Sequence, residues 1–210
     1  MNVLSIHSHV AYGHVGNAAA TLPLQLMGFE VWEVHTVAFS NHPGYGDRRG
    51  LVLDADHVAA ILEGVGERGA YARCDAILSG YLGDPDTGPV VLDAVERVRA
   101  ANPTALYCCD PVIGDSDRGV YVPDGVAGFL RECAIPPASI VTPNQFELSA
   151  LTGMSVDDLD SALAAVDVIR AAGPRIVLVT GLRRRDGRGD RIEMLAVSPE
   201  GGWLVATPML

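Results

Sequence analysis

The most informative absence in this 210-residue sequence is lysine, since all 15 of its basic residues are arginine. A P-loop nucleotide site and the Schiff base of a pyridoxal-phosphate enzyme each need a lysine, so both mechanisms are excluded for this chain. Positive charge is scarce overall, because 26 acidic residues leave a formal net charge of −11 at pH 7. This balance excludes nucleic acid or an anionic membrane as the main partner, and any phosphate site must be local.

Long apolar runs are also missing. No stretch reaches the length of a membrane span, and the N-terminus enters a predicted strand without the charged segment of a secretory signal. We therefore expect a cytoplasmic protein with no membrane partner. The four cysteines lack the paired spacing of a zinc site, and in an unexported chain they are predicted to be reduced core residues.

The residues that are present indicate one α/β domain spanning residues 1–210. A hydrophobic content of 49% is enough for a full core in a chain of this length. Short apolar runs alternate with segments of helical spacing, and this repeated order predicts a mostly parallel central sheet with helices on both faces. The predicted strands span 3–6, 31–37, 76–79, 105–109, 139–142, 175–180, 192–197 and 203–206.

Asp110 follows one of these predicted strands directly and opens the segment CDPVIGD. Pro111 and Gly114 predict a loop, so Asp110 and Asp115 should lie at the carboxyl end of the sheet, where open α/β proteins bind ligands. Two carboxylates on such a loop can hold Mg²⁺ beside phosphates, directly or through water. The alternative is that Asp110 caps a turn and Asp115 is solvated.

A second polar group follows the strand at 139–142. Asn144 is predicted to cap the next helix, which places Glu147 in its first turn, close to Thr142 and Asp110. Glu147 is then either a capping-box residue or a carboxylate that acts on metal-bound water. Thr180 falls at the carboxyl end of the strand at 175–180.

Loops in the first half of the chain are rich in polar and aromatic side chains that could hold a small ring. The segment 39–46 includes His42 and Pro43, and Tyr81 follows the strand at 76–79. The structural alternative for the segment 39–46 is an ordinary turn, and the alternative for Tyr81 is a tyrosine that closes the core. Residues 64–69 match G-x-G-x-x-G, but they follow a predicted helix rather than a strand, so they do not indicate a dinucleotide site.

Five of these segments occur together in the order found in pyridoxal kinases of the ribokinase-like superfamily, and the sequence resembles that family over residues 1–210. They are SHVAYGHVGN, FSNHPGYG, SGYLGD, CDPVIGD and TPNQFEL. The resemblance implies a ribokinase-like fold and ATP-dependent phosphorylation of the 5′-hydroxymethyl group of pyridoxal, pyridoxine or pyridoxamine. It also implies Mg²⁺, often with K⁺ as well, and a homodimer.

The resemblance further implies roles for individual residues. Substrate contacts are expected from Ser8, Val15, His42, Pro43 and Tyr81. ATP and its metal ions are expected to be served by Asp110, Asp115, Thr142, Glu147 and Thr180, with Asp110 and Glu147 on the metal.

Two departures from the family pattern affect these expectations. Many relatives have a substrate-contacting threonine where this chain has Pro43, which offers neither a hydroxyl nor a backbone N–H. The family also keeps its catalytic Asp and a phosphate-binding helix N-terminus in a G-x-G-D segment, and we expect that segment to lie beyond residue 210. No catalytic residue is therefore assigned, and the 210 residues alone are expected to be inactive. The alternatives are a hydroxymethylpyrimidine kinase and a non-catalytic binder of vitamin B6 or nucleotide.

Overall fold

The computed structural model describes residues 1–185, 187 and 189–209. The chain divides into two compact units, Met1–Cys108 and Cys109–Leu210. In both units short strands alternate with helices, which confirms the predicted α/β class. Within the described residues, no helix is long and apolar enough to cross a membrane.

The first unit is built on parallel strands. β1 pairs in parallel with β2 on one side and with β4 on the other, and β3 is antiparallel to β2. The order across this part of the sheet is β3-β2-β1-β4-β5. The strands are β1 (Asn2–Tyr12), β2 (Glu30–Asn41), β3 (Gly50–Val52), β4 (Ala76–Ser79) and β5 (Leu106–Cys109), and the helices are α1 (Asn17–Leu26), α2 (Ala55–Glu67) and α3 (Thr87–Ala101).

The helices of this unit follow local sequence rules. Asp54 caps α2 by accepting a hydrogen bond from the backbone of His57, at 2.7 Å. Val58 and Leu62, one turn apart on α2, are both buried. The G-x-G-x-x-G match lies in and just after α2, as expected for glycines that follow helical residues rather than a strand.

Two predictions for the first unit are wrong. β1 does not end at Ile6 but runs to Tyr12, because pairing with β2 continues past a register shift between His7 and His9. Asn17 is a residue type that often caps helices, and the sequence predicts it as the N-cap of the helix that follows. It does not cap α1, since Gly16 holds the N-cap position and Asn17 is the first helical residue. Its buried amide instead accepts from the Ser5 hydroxyl at 2.6 Å and donates to the Val34 carbonyl at 3.2 Å.

The second unit continues the alternation. β8 and β9 are parallel, β10 is antiparallel to β9, and β11 is antiparallel to β10. β6 and β7 form a separate two-stranded hairpin. The strands are β6 (Gly114–Asp115), β7 (Gly119–Val120), β8 (Ile140–Val141), β9 (Ile176–Leu182), β10 (Arg191–Ser198) and β11 (Gly201–Pro208), and the helices are α4 (Val126–Phe129), α5 (Gln145–Thr152) and α6 (Leu159–Ala171), with a π-helical turn at Leu130–Ala134.

Candidate functional site

The residues expected to bind substrate all belong to the first unit, and we call them the amino-terminal cluster: Ser8, Val15, His42, Pro43 and Tyr81. His7 joins two of them, because its Nδ1 accepts hydrogen bonds from the backbone N–H groups of Ser8 (2.8 Å) and Tyr81 (3.3 Å). The ring lies against Gly80, where an added Cβ would fall 2.0 Å from Nε2. Glycine is therefore required at position 80 for this close packing.

Val15 and Tyr81 meet on a common apolar surface. Both are partly buried and pack against the core formed by Val10, Val37 and Phe39. The backbone carbonyl of Tyr81 accepts a hydrogen bond from the Thr36 hydroxyl at 2.6 Å, which fixes the loop that carries the ring. Tyr81 thus closes part of the core, as its structural alternative predicts, while its ring stays partly exposed.

His42 and Pro43 form a turn next to this region. His42 Nδ1 accepts a hydrogen bond from the backbone N–H of Gly44 at 3.2 Å, and the backbone N–H of His42 donates to the Tyr12 carbonyl. Its ring makes an edge contact with Tyr45 at 5.8 Å between centroids. Pro43 is exposed and begins a short 3₁₀ helix, Pro43–Tyr45. Its lack of a backbone N–H costs nothing there, because the N–H of a first helical residue has no partner within the helix. These contacts match the structural alternative of an ordinary turn.

The residues expected to serve ATP and metal all belong to the second unit, and we call them the carboxylate cluster: Asp110, Asp115, Thr142, Glu147 and Thr180. Asp110 follows β5, as predicted, and its Oδ1 accepts a hydrogen bond from the Thr142 hydroxyl at 3.0 Å. Thr180 lies alongside, since its N–H donates to the Pro143 carbonyl at 2.9 Å and it bridges Asn144.

Asn144 links this cluster to the Asp110 loop. It caps α5, as predicted, and its side-chain amide also donates to the Gly114 carbonyl at 2.8 Å. At Gly114 an added Cβ would lie 2.3 Å from the Gly119 carbonyl oxygen. The β6–β7 hairpin can therefore approach this closely only with glycine at position 114.

Glu147 is a buried carboxylate, only 3% exposed. It completes the predicted capping box, with Oε2 accepting from the Asn144 N–H (2.8 Å), and Oε1 accepts from the Ile113 N–H (3.0 Å). Burial raises its pKa to about 7 despite these hydrogen bonds, and the negative charge of Asp110 adds to the rise. The hydrogen bonds therefore do not fully offset the cost of burying the charged carboxylate.

Asp115 is more strongly neutralised than the sequence indicated. Its Oδ1 accepts from the backbone N–H groups of Asp117 and Arg118, and its Oδ2 pairs with the Arg118 guanidinium at 3.1 Å. The same guanidinium lies 5.6 Å from the centre of the Tyr121 ring. Burial, together with the charges of Glu147 and Asp115, raises the pKa of Tyr121 to about 12.

The sequence does contain one literal G-x-G-D, at residues 187–190, and this corrects the expectation that the motif lies wholly beyond residue 210. Arg188 lies outside the described residues. Asp190 is exposed, and β10 begins at the next residue. A strand rather than a helix follows, so this match does not provide a helix N-terminus for phosphate.

Sequence reasoning missed three residues that shape these clusters. The sequence predicts His7 at a strand end, and only the pairing of β1 with its neighbours buries it; Gly80 is the one sign of close packing there. Arg118 and Tyr121 fall in a segment for which the sequence predicts only a loop. The spacing of Asp115 and Arg118, three residues apart across a tight hairpin, could have indicated their ion pair.

Comparison with known proteins now gives these clusters a context. Residues 39–204 match the family of phosphomethylpyrimidine kinases. A protein from Rubrobacter xylanophilus named pyridoxal kinase PdxY is 59% identical over 211 residues, covering 100% of this chain and 73% of that protein. A protein of the same name from Deinococcus radiodurans is 55% identical, covering 100% of this chain and 72% of that protein.

Solved structures agree with the sequence relatives. The pyridoxal kinase of Leishmania donovani in complex with ADP and pyridoxamine superimposes with a TM-score of 0.92 at 33% identity, covering 100% of this chain and 75% of that one. The predicted ribokinase-like α/β fold with a mostly parallel central sheet is confirmed. With a relative 59% identical across its whole length, this chain belongs to the pyridoxal kinase family.

Proposed function

We propose that this protein transfers the γ-phosphoryl group of ATP to the 5′-hydroxymethyl group of pyridoxal, giving pyridoxal 5′-phosphate in vitamin B6 salvage. The observation that carries this proposal is the 59% identity to a pyridoxal kinase over all of this chain and 73% of that protein, together with a 33% identical structure in complex with ADP and pyridoxamine. Pyridoxine and pyridoxamine carry the same hydroxymethyl group and are the other expected substrates.

The carboxylate cluster supports a role on the nucleotide side. Its donors are carboxylate and hydroxyl oxygens, the ligands that Mg²⁺ prefers, and Glu147 carries a buried charge that a cation would offset. We assign the metal to Asp110 and Glu147, and nucleotide contacts to Asp115, Thr142 and Thr180. Mg²⁺ would neutralise charge on the phosphates during transfer. K⁺ remains an expectation from the family alone.

The amino-terminal cluster supports a role on the vitamin side. The side chain of Ser8 supplies a hydroxyl for a ring substituent, while Val15 and Tyr81 supply partly exposed apolar surface for the ring itself. Pro43 offers only ring packing where relatives offer a hydroxyl, so substrate contacts at this turn rest on His42. His7 acts on Ser8 and Tyr81 by fixing both backbones.

A hydroxymethylpyrimidine kinase is the second candidate, because residues 39–204 match the phosphomethylpyrimidine kinase family. Both substrates carry a hydroxymethyl group on a nitrogen ring, so the two activities differ in the fit of the ring. A direct test measures kcat/KM for pyridoxal and for hydroxymethylpyrimidine with the same enzyme and ATP concentration. We expect pyridoxal to be preferred by at least about tenfold, or about 1.4 kcal/mol of transition-state binding. Preference for the pyrimidine would overturn the assignment.

A non-catalytic binder of vitamin B6 or nucleotide is the remaining alternative. The described residues show Asp190 on a hairpin at the start of a strand, which does not support a role as the base that deprotonates the substrate hydroxyl. Binding of Mg·ATP and pyridoxal without any formation of pyridoxal 5′-phosphate, in a protein that spans the full length of the relatives, would establish this alternative.

We also propose a cytoplasmic homodimer. Helix α1 supports the dimer, because Leu22, Leu26 and Met27 are 62%, 79% and 63% exposed, a large apolar surface for one helix. Light scattering or sedimentation at micromolar concentration tests this proposal, and the monomer mass would contradict it.

A further inference from the structure

The first unit contains a group of metal-ligating side chains that includes no member of either cluster. His9 on β1 and Glu33 and His35 on β2 each offer one ligand atom, and these three atoms lie within 4.8 Å of one another. The rings of His9 and His35 are 4.5 Å apart between centroids. His35 Nε2 lies 3.8 Å from a Glu33 carboxylate oxygen. None of the three has a role in the reaction proposed above.

The backbone explains why these residues meet. Glu33 and His35 are two residues apart on a strand, so their side chains point to the same face of the sheet. His9 lies two residues after His7, which pairs with His35 in the parallel ladder, so its side chain belongs to the same face. The register shifts by one residue between His7 and His9, so that His9 pairs with Ala38.

One further observation points to a ligand. Within the described part of the chain, His9 Nδ1 is fully buried and has no hydrogen-bond partner. A buried ring nitrogen normally has a hydrogen-bond partner or a metal.

We propose that His9, Glu33 and His35 form a binding site for a divalent transition metal of the zinc class. Two imidazole nitrogens and one carboxylate oxygen suit Zn²⁺ and exclude Mg²⁺ as the preferred ion. At metal–ligand distances of about 2.0–2.2 Å, tetrahedral ligands are about 3.3 Å apart, slightly closer than the 3.8 Å between His35 and Glu33. Both side chains are about one-third exposed and can close this gap. Three ligands leave one position open to water or an external group.

Asn17 sets the orientation of one ligand and limits the affinity. Its amide nitrogen lies 3.0 Å from His35 Nδ1, so the metal-free ring accepts there and carries its proton on Nε2, the atom nearest Glu33. Metal binding at Nε2 must displace that proton, and the Asn17 amide must turn its oxygen toward Nδ1. We therefore expect weaker binding than at a site with a carboxylate behind the histidine.

Zinc titration with a chelating dye as competitor tests the proposal. The titration is done in excess Mg²⁺, which occupies oxygen sites, and every protein carries Cys133→Ser to remove the exposed thiol. We expect one Zn²⁺ per chain, and at least about tenfold weaker binding in His9→Ala, Glu33→Gln and His35→Ala. His57→Ala, which removes an exposed histidine from α2, is the matched control and should bind as the parent does.

Two results would overturn the site: no zinc binding by the parent protein, or unchanged affinity in both His9→Ala and Glu33→Gln. If His9→Ala fails to fold, Glu33→Gln decides alone, because this substitution keeps the size of a side chain that is about one-third exposed. Co²⁺ provides a second readout, since a tetrahedral site with nitrogen and oxygen ligands gives visible absorption without a thiolate charge-transfer band. A thiolate band that survives Cys133→Ser would place the metal on another cysteine and refute the assignment.

Discussion

Glu147→Gln should change the pH dependence of stability in the metal-free protein. The pKa of Glu147 is raised from 4.5 to about 7, mainly by burial, so between these values the folded state binds a proton that the unfolded state releases. The free energy of unfolding therefore falls as the pH rises through this window. The window is about 2.5 pH units wide, which corresponds to about 3 kcal/mol at about 1.36 kcal/mol per unit. Glutamine cannot ionise and removes this dependence.

Urea unfolding at several pH values between 4 and 8, with EDTA present, measures this effect. The stability of the wild type minus that of Glu147→Gln should decrease by about 3 kcal/mol from the acid end to the alkaline end. A constant offset is also expected, because the glutamine NH₂ group must face one of the two backbone N–H groups that the carboxylate accepts. Parallel stability curves would refute the reasoning. Glu96→Gln, which removes an exposed carboxylate from α3, is the matched control.

Mg²⁺ extends the same experiment to the proposed metal role. A cation at Asp110 and Glu147 would offset the buried charge, so Mg²⁺ should stabilise the wild type at pH 8. At ten times the dissociation constant the gain is about 1.4 kcal/mol. The gain should be smaller in Glu147→Gln, and an equal gain in both proteins would place the ion elsewhere.

Two further outcomes are expected. Tyr81→Ala should lose ring contact worth about 1 kcal/mol, or about fivefold in pyridoxal affinity. Tyr81→Phe keeps the ring and should bind pyridoxal as the wild type does. A loss of stability without a loss of affinity would make Tyr81 a core residue only. Asn144→Ala should lower the free energy of unfolding by about 1–2 kcal/mol and also weaken Mg·ATP binding. Asp158→Ala breaks the capping box of α6 and should leave nucleotide binding unchanged. Equal effects of the two substitutions on nucleotide binding would show that Asn144 does not belong to the site.

The carboxylate cluster was predictable because local rules determine it. Asp110 follows an apolar run and precedes a proline, and Asn144 stands three residues before Glu147, so a strand end and a capping box could be deduced from short stretches. The conversion of Glu147 into a buried carboxylate with a raised pKa could not be deduced. It depends on burial in the tertiary structure, where Ile113, 34 residues away in the sequence, donates a hydrogen bond that only partly opposes the rise.

The amino-terminal cluster was less predictable because long-range pairing shapes it. His7, Ser8 and His9 form a polar run that indicates a loop, yet pairing with β2 holds them in β1. Asn17 is a residue type that often caps helices, but its side chain is instead hydrogen-bonded to the Ser5 hydroxyl and the Val34 carbonyl of the sheet. A sequence read alone assigns such polar residues to water, and only the tertiary structure shows that buried partners satisfy them.

The assignment of Asp110 to the metal–nucleotide side is tested most directly by titrating Asp110→Asn with Mg·ATP and, separately, with pyridoxal. Asparagine keeps an oxygen for the Thr142 hydroxyl but removes the charge, so the fold should survive. We predict that the dissociation constant for Mg·ATP rises at least about tenfold, a loss of about 1.4 kcal/mol, while that for pyridoxal stays within about twofold. Equal weakening of both ligands, or of neither, would contradict the account.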